Sequence, residues 1–334
     1  MKIGLTYDLR SEYLSMGYSE EETAEFDKES TIVGIENALQ EIGYETERIG
    51  HVKSLMKLLM EGKRWDIVFN ICEGLDGQGR ESLVPSLLDV YQIPYVFSGP
   101  TVLALSLDKA FCKRIVRDGG IPTPDFCVVK NNRDTQKSKP EFPLFLKPLS
   151  EGTGKGISEH SLVNNDIEYR EVCFDLLERF HQPVLVESYL PGREFTVGVV
   201  GNLINSVVVG VMEVTYKNNI KKIYSYENKE NYKNVIEYIQ PESEIYQKCS
   251  DLALKVWNIL GANDGGRVDM KLNKNGDPEF IEINPLAGLN YLDSDLPILC
   301  RLNNISFTQL ISMIMRAAEK RIFGKILSSG LLSE

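Results

Sequence analysis

Residues 265–288 run GGRVDMKLNKNGDPEFIEINPLAG. Two segments within them, 267–272 and 279–284, alternate polar and apolar residues on either side of Asn275-Gly276, a dipeptide that suits a tight hairpin turn. Successive side chains of a strand point to opposite faces. Arg267, Asp269 and Lys271 therefore share one face, and Phe280, Glu282 and Asn284 share one face of the partner. Pairing Leu272 with Glu279 sets Asp269 opposite Glu282 and Arg267 opposite Asn284. Two carboxylates opposed on one face repel unless positive charge lies between them. A divalent cation such as Mg²⁺ would supply it, since Mg²⁺ takes oxygen ligands, commonly one or two carboxylates with phosphate. The Asn284 carbonyl would be a third ligand. The other reading is a solvent-facing ladder neutralised by Arg267 and Lys271. A slip of one residue in register would remove the argument altogether.

Upstream, FLKPLSEGTGKGIS (145–158) places glycines at 152, 154 and 156, with Lys147 and Lys155 on either side. Such a loop can wrap backbone N–H groups around phosphate oxygens, or it can be a plain hairpin loop. It is neither a Walker A sequence, because Gly156 follows Lys155, nor a dinucleotide fingerprint. In VLVESYLPGREFTV (184–197) a strand ends near Glu187, Pro191-Gly192 turns the chain, and a second strand starts at Glu194. Backbone at such a junction can meet a planar base edge, with Glu194 accepting from ribose hydroxyls. A simple interdomain hinge is the alternative.

The first hundred residues alternate strand and helix. Strands are predicted at 2–7, 45–49, 66–72 and 94–97. Helices are predicted at 31–43, where Ile32, Ile35, Ala38, Leu39 and Ile42 fall at helical spacing, and at 54–61 and 81–91. This pattern predicts an α/β domain with a parallel sheet. The acidic segment 19–29 reads as a solvated loop, and 104–118 as one helix ended by Gly119 and Gly120. Beyond it come a polar loop at 131–140, a helix at 166–180, a strand at 183–187, mostly strands from 194, and a helix at 245–260.

The chain has 334 residues, 37 basic and 48 acidic, for a net charge of −11. That length suits two or three domains, and the charge argues against a nucleic-acid or anionic-membrane surface. The six cysteines form no CxxC pair and no zinc spacing, so they read as reduced thiols. The start MKIGLTYD reads as a strand rather than a signal peptide. No apolar run reaches the ~20 residues of a membrane span. A cytoplasmic location is the resulting expectation. His51, His160 and His181 are isolated, and Trp65 and Trp257 read as core.

Taken in order, Lys109 (in SLDK), Lys147 (in FLKP), EGTGKG, ESYLPGREFTV, residues 226–229 (YENK), GRVDMK and EINPLAG resemble the ATP-grasp superfamily, in its D-alanine–D-alanine ligase branch. The resemblance implies a Rossmann-like domain (1–103) followed by a two-domain α+β ATP-grasp fold (104–191 and 192–334). It implies that ATP, with one or two Mg²⁺ ions for which Mn²⁺ can substitute, drives formation of an acyl phosphate that an amine then converts to an amide. Lys109, Lys147 and Lys229 would hold phosphates under the loop Thr153, Gly154, Lys155 and Gly156. Phe145, Glu187, Tyr189 and Leu190 would meet adenine, and Glu194 the ribose. Asp269, Glu282 and Asn284 would bind metal. Arg267, Thr153 and the Gly288 N–H would serve catalysis.

The amino-acid half departs from the family pattern. Asn70 stands where a histidine is usual, and Asp27 and Glu29 are the nearest candidates to grip an ammonium. EINPLAGLN ends at Asn290, with Ser294 close behind; these two complete the candidate substrate residues. Small amino acids, D-alanine first, or another carboxylate and amine are the implied partners, and a homodimer the implied assembly. A non-catalytic ATP-binding regulator is the rival reading, and it would not need Arg267, Asp269, Glu282 and Asn284 together.

Overall fold

The computed structural model describes residues 1–216 and 236–329. The apolar strand Ile67–Ile71 (β3) is buried throughout and pairs in parallel with Lys2–Tyr7 (β1), which pairs in parallel with Glu45–Gly50 (β2). Parallel strands need cover on both faces. Helix Glu29–Glu41 packs over one face, through Ile32, Ile35 and Leu39, in a core shared with the C-terminal helices Asp295–Leu302 and Phe307–Ser329. Helices Val52–Met60 and Leu83–Val90 cover the other face.

The strand expected at 94–97 is reduced to one bridge, in which the Val68 N–H donates to Pro94 O and the Val96 N–H to Val68 O. The ladder stops because Phe97 takes φ of 76° and its N–H donates to the Asp264 carboxylate, 2.8 Å away. The single helix expected at 104–118 is also two, Pro100–Leu107 and Lys109–Asp118. Asp108 lies between them in an extended conformation and accepts hydrogen bonds from the N–H groups of Ala110 and Phe111, the behaviour of an N-cap. The break starts a fresh helix at Lys109.

The middle of the chain forms an antiparallel sheet from Phe126–Val129 (β4), Leu144–Pro148 (β5), Leu162–Val163 (β6) and Val184–Ser188 (β7), in the order β4-β7-β5-β6. Helix Asp166–Phe180 covers it. A second antiparallel sheet joins Glu194–Val200 (β8), Val207–Tyr216 (β9), Ile236–Ile239 (β10), Gly265–Leu272 (β11) and Pro278–Asn284 (β12), in the order β10-β9-β8-β11-β12. Helix Ser243–Leu260 backs it, and a Cβ on Gly266 would meet Asn284 O at 2.5 Å and the Trp257 ring at 2.9 Å. Close packing of this kind requires glycine there.

In β11, Val268, Met270 and Leu272 point into the core while Arg267, Asp269 and Lys271 face the cleft between the two sheets. Burying an apolar side chain of this size stabilises by roughly 1.5–3 kcal/mol, so a slip that exposed all three is strongly opposed. Asp269 pairs with Glu282 and Arg267 with Asn284, as the sequence predicts. The assumption behind that prediction fails, however: Leu272 pairs with Pro278, and the register shifts between Asp269 and Met270. The shift is a bulge that leaves Ile281 as the extra residue. It turns Phe280 into the core, away from the face that carries Glu282 and Asn284. Bulges re-aim side chains in this way beside functional sites.

Candidate functional site

Two connected cavities occupy the cleft. The smaller, about 120 Å³, lies between the two antiparallel sheets and is lined by Phe145, Lys147, Glu187, Tyr189, Leu190 and Glu194. The larger, about 400 Å³, opens toward the N-terminal domain. Thr153, Arg267 and Glu282 line both.

At this junction the Asp269 carboxylate accepts from Thr196 Oγ1 (2.8 Å), an Arg267 guanidinium nitrogen (2.6 Å) and Asn284 Nδ2 (3.1 Å). Arg267 also lies 3.4 Å from the buried Asp295 carboxylate at the start of helix Asp295–Leu302. Burial raises the Asp269 carboxyl to about 6; Arg267 opposes that shift, and the charges of Glu282 and Asp295 add to it. Lys109, in the first turn of its helix, points its ammonium to Glu151 O at 2.6 Å and lies 3.6 Å from Glu282. Among the described residues no three His, Cys, Asp or Glu side chains cluster as a complete metal cage. Two opposed carboxylates and an amide oxygen are instead a partial, all-oxygen set. That suits a hard cation whose remaining positions go to phosphate and water.

The glycine loop is held from the N-terminal domain. Glu25 accepts from the Gly152 N–H at 2.5 Å and pairs with Arg80, whose guanidinium also donates to Ser150 O at 2.9 Å. A Cβ on Gly152 would sit 2.7 Å from Glu25 Oε1. The acidic segment 19–29 is therefore not wholly solvated: Thr23 and Phe26 are buried and the Glu25 side chain is 6% exposed. Thr153 adopts φ of 50°, uncommon for a β-branched residue, and its hydroxyl is buried without a hydrogen-bond partner. Thr153 and Gly154 line the cavities, whereas Lys155 and Gly156 do not. Lys155 turns to Glu151 at 3.0 Å, and a Cβ on Gly156 would strike Pro148.

Phe145, Lys147, Tyr189, Leu190 and Glu194 stand together as expected, with Glu194 3.8 Å from Lys271. Glu187 joins them in the lining, and its carboxylate stands between two lysines. Its two oxygens lie 2.6 Å from Lys113 Nζ and 3.0 Å from Lys147 Nζ. Burial opposes its charge, and the two lysines overcome that to hold its carboxyl below the usual range. Lys229 and the rest of 226–229 lie outside the described residues.

The amino-acid side needs more correction. Glu29 is exposed, 2.7 Å from Arg48, and lines neither cavity. Asn70 is buried within β3, where its side-chain oxygen accepts from Thr6 Oγ1 and the Cys72 N–H, so it also lines neither cavity. The strand ends at Ile71, and Glu73 is the residue just beyond it that reaches the larger cavity. Asp27 lines that cavity, and burial raises its carboxyl to about 7. Glu73 and Glu81 line the same wall. Burial, then mutual repulsion, pushes Glu73 well up; burial takes Glu81 to about 7 against the pull of Arg80. Asn290, Ser294 and Gly288 line the opposite wall. Asn290 Nδ2 donates to Thr31 Oγ1 at 3.0 Å, and the Asn290 N–H donates to Ser294 Oγ at 3.0 Å.

Sequence reasoning missed Glu25, Glu73, Arg80, Glu81, Lys113 and Asp295. Only Lys113 carried a usable signal, lying four residues after Lys109 and so on the same helix face.

Residues 115–316 match the family model described as D-ala D-ala ligase C-terminus. The chain is 32% identical over 283 residues to a D-alanine–D-alanine ligase of Aquifex aeolicus, covering 84% of this chain and 92% of that one. It superposes on the crystal structure of D-alanine–D-alanine ligase from Bacillus anthracis complexed with ATP, with a TM-score of 0.71 and 21% identity, covering 97% and 99% of the two chains. It superposes equally, at a TM-score of 0.71 and 18% identity, on the VanG D-Ala:D-Ser ligase of Enterococcus faecalis, covering 95% and 99%.

Proposed function

The chain belongs to the D-alanine–D-alanine ligase family, and we propose on that premise how its own residues carry the reaction. As a member it is an ATP-dependent ligase that forms a carbon–nitrogen bond. In our reading ATP occupies the smaller cavity, its base against Phe145, Tyr189 and Leu190, its ribose at Glu194, and its phosphates at Lys109, Lys147 and the Thr153–Gly154 backbone. Asp269, Glu282 and Asn284 would hold Mg²⁺, as one or two ions, which would neutralise phosphate charge and polarise the transferred group. A substrate carboxylate in the larger cavity attacks the γ-phosphate, giving an acyl phosphate and ADP. An amine then displaces phosphate through a tetrahedral intermediate. Arg267 stands where the cavities meet and is preorganised to stabilise the negative charge developing in both steps. Groups of this kind are worth about 10²–10³ in kcat. The Gly288 N–H is the second donor to the intermediate. The observation that carries this reading is the cross-strand pair Asp269–Glu282, with Arg267 on Asp269 and Lys109 beside Glu282, at the junction of the two cavities. The regulator reading loses its ground here, since nucleotide binding alone would not need a second cavity sharing Arg267.

Two small amino acids, D-alanine first, are the proposed substrates, with Asp27 gripping an ammonium. A different amine is the second reading, favoured by Glu73 and Glu81 crowding the same wall as Asp27. A cytoplasmic homodimer belongs to the same proposal on family grounds. No helix of the described residues is long and apolar enough to cross a membrane. The test is ADP and phosphate release over D- and L-amino acids and small amines, singly and in pairs, with products identified by mass. Amide formation with matched ADP release is the expected result. Nucleotide binding without turnover on any pair would favour the regulator.

A further inference from the structure

Asp295 is the first residue of helix Asp295–Leu302, its side chain is 4% exposed, and the mechanism above gives it no role. It lines the larger cavity on the same wall as Ser294 and Gly288. Its Oδ2 lies 3.4 Å from Arg267 Nη1, the nitrogen that also lies 2.6 Å from Asp269 Oδ2. Its Oδ1 accepts from the Tyr238 hydroxyl of β10 at 3.4 Å. A carboxylate in the first turn of a helix is also favoured by the N–H groups at that end. The charge of Asp295 is therefore supported from its own helix, from β10 and from β11.

The helix that carries it is seated on the sheet. A Cβ on Gly198 of β8 would meet Leu299 at 2.5 Å and Leu296 at 2.9 Å. The loop before the helix closes on itself: the Ser294 N–H donates to Asn290 O at 3.0 Å, and the Asn290 N–H to Ser294 Oγ at 3.0 Å. A Cβ on Gly288 would sit 2.9 Å from Ser294 Oγ, so Gly288 belongs to the same closed loop. Arg267 on β11 and Gly288 on this loop thus come from separate elements, yet in the ligase reading both face one reacting carbonyl. The Arg267–Asp295 ion pair spans the two elements. Asp269 holds the same guanidinium nitrogen, but in that reading it also serves the metal. Asp295 holds Arg267 without that second duty.

We propose that Asp295 is a positioning residue: it fixes the guanidinium of Arg267 relative to the Gly288 N–H, and so sets the geometry in which developing negative charge is stabilised. A guanidinium is a rigid planar fork, so holding one of its nitrogens from two sides orients the whole group. The inference rests on the ligase reading, in that Arg267 is taken to act on the transferring group.

The test compares the rate of ADP release, and ATP–Mg²⁺ affinity by calorimetry, in wild type, Asp295→Asn, Arg267→Gln and the double variant. The carboxylate is D-alanine, or the acid that the screen above identifies. The nucleophile is either the amine of that screen or hydroxylamine, which is neutral at neutral pH and needs no base. A misplaced group costs up to about 10²-fold, so Asp295→Asn should lower kcat at least about tenfold with both nucleophiles. ATP affinity should stay within about threefold of wild type, because the loss is confined to the transition state. In the Arg267→Gln background the same change should cost less than about threefold more, since the group it positions is gone. A merely structural Asp295 would cost the same factor in both backgrounds, and that result overturns the proposal. So does an unchanged kcat in Asp295→Asn. A loss confined to the amine and spared by hydroxylamine also overturns it, by putting Asp295 on the proton of the amine instead. Should Asp295→Asn not fold, Asp295→Glu, which keeps the charge and moves it by one methylene, decides by the same outcomes. Wild type that binds ATP yet releases no ADP with any acid would instead overturn the ligase reading on which this one stands.

Discussion

The two cavities differ first in how their charges are matched. Around the smaller one each carboxylate has a cation at hand: Glu187 has Lys113 and Lys147, Glu194 has Lys271, and Glu282 has Lys109. The carboxyl of Glu187 is accordingly held down. On the N-terminal wall of the larger cavity, Asp27, Glu73 and Glu81 form no ion pair among the described residues. Arg80, whose charge acts on Glu73 and Glu81, is engaged with Glu25. Their carboxyls are all pushed up. Around the smaller cavity the protein answers its own carboxylates, whereas the larger holds three carboxyls whose ionisation is left for a ligand to answer. A cation entering the larger cavity would relieve that repulsion, which suits the ammonium of an amino acid.

The strongest way to break this contrast is at Asp269, where the two halves meet. Asp269→Asn should lower the rate of ADP release at saturating Mg²⁺ by about 10²–10³-fold, the scale of losing preorganised charge stabilisation. Its thermal midpoint should not fall, because the neutral side chain resembles the protonated form that burial already favours. Near wild-type turnover would remove the metal role from this residue. Glu73→Gln probes the acid wall instead. It should raise the KM of the amine-bearing substrate about tenfold, the scale of one charge-assisted contact, while ATP affinity stays as in wild type. Equal losses for both ligands would show that the two halves are not separate.

The smallest effect is on pH dependence. Asp269 at about 6 and Asp27 and Glu81 at about 7 all lie above their unfolded values near 4. Between pH 5 and 8 the folded protein therefore binds more protons than the unfolded chain, and stability falls as pH rises. A decline of roughly 2–5 °C in thermal midpoint across that window is expected without ligand. Asp27→Asn/Glu81→Gln should flatten it. A midpoint that rises with pH would contradict the acid-wall assignment.

Much of the nucleotide half was legible in the linear chain, because its signals are local. The two-residue period of 267–272 put Arg267, Asp269 and Lys271 on one face. The glycine spacing marked the loop, and Pro191-Gly192 marked the junction before Glu194. The pairing of Asp269 with Glu282 came out correctly although Leu272 pairs with Pro278, since the bulge at Asp269/Met270 compensates for the wrong starting pair. Periodicity carries no trace of a bulge, and only the packing of Phe280 into the core reveals it.

The amino-acid half was scarcely legible, because its residues come together across long separations that no period encodes. Glu25 meets Gly152 across 127 residues, and Lys113 meets Phe280 O across 167. Asn70 drew notice on its place in the chain, yet hydrogen bonds from Thr6 and the Cys72 N–H hold its side chain in the sheet, and Glu73 lines the cavity instead. Local pattern, then, fixes which face of a strand a side chain occupies, because alternation is a property of the backbone alone. Which charges share a cavity, and whether any of them lacks a partner, follows from how the three sheets pack. That depends on buried contacts summed over the whole chain.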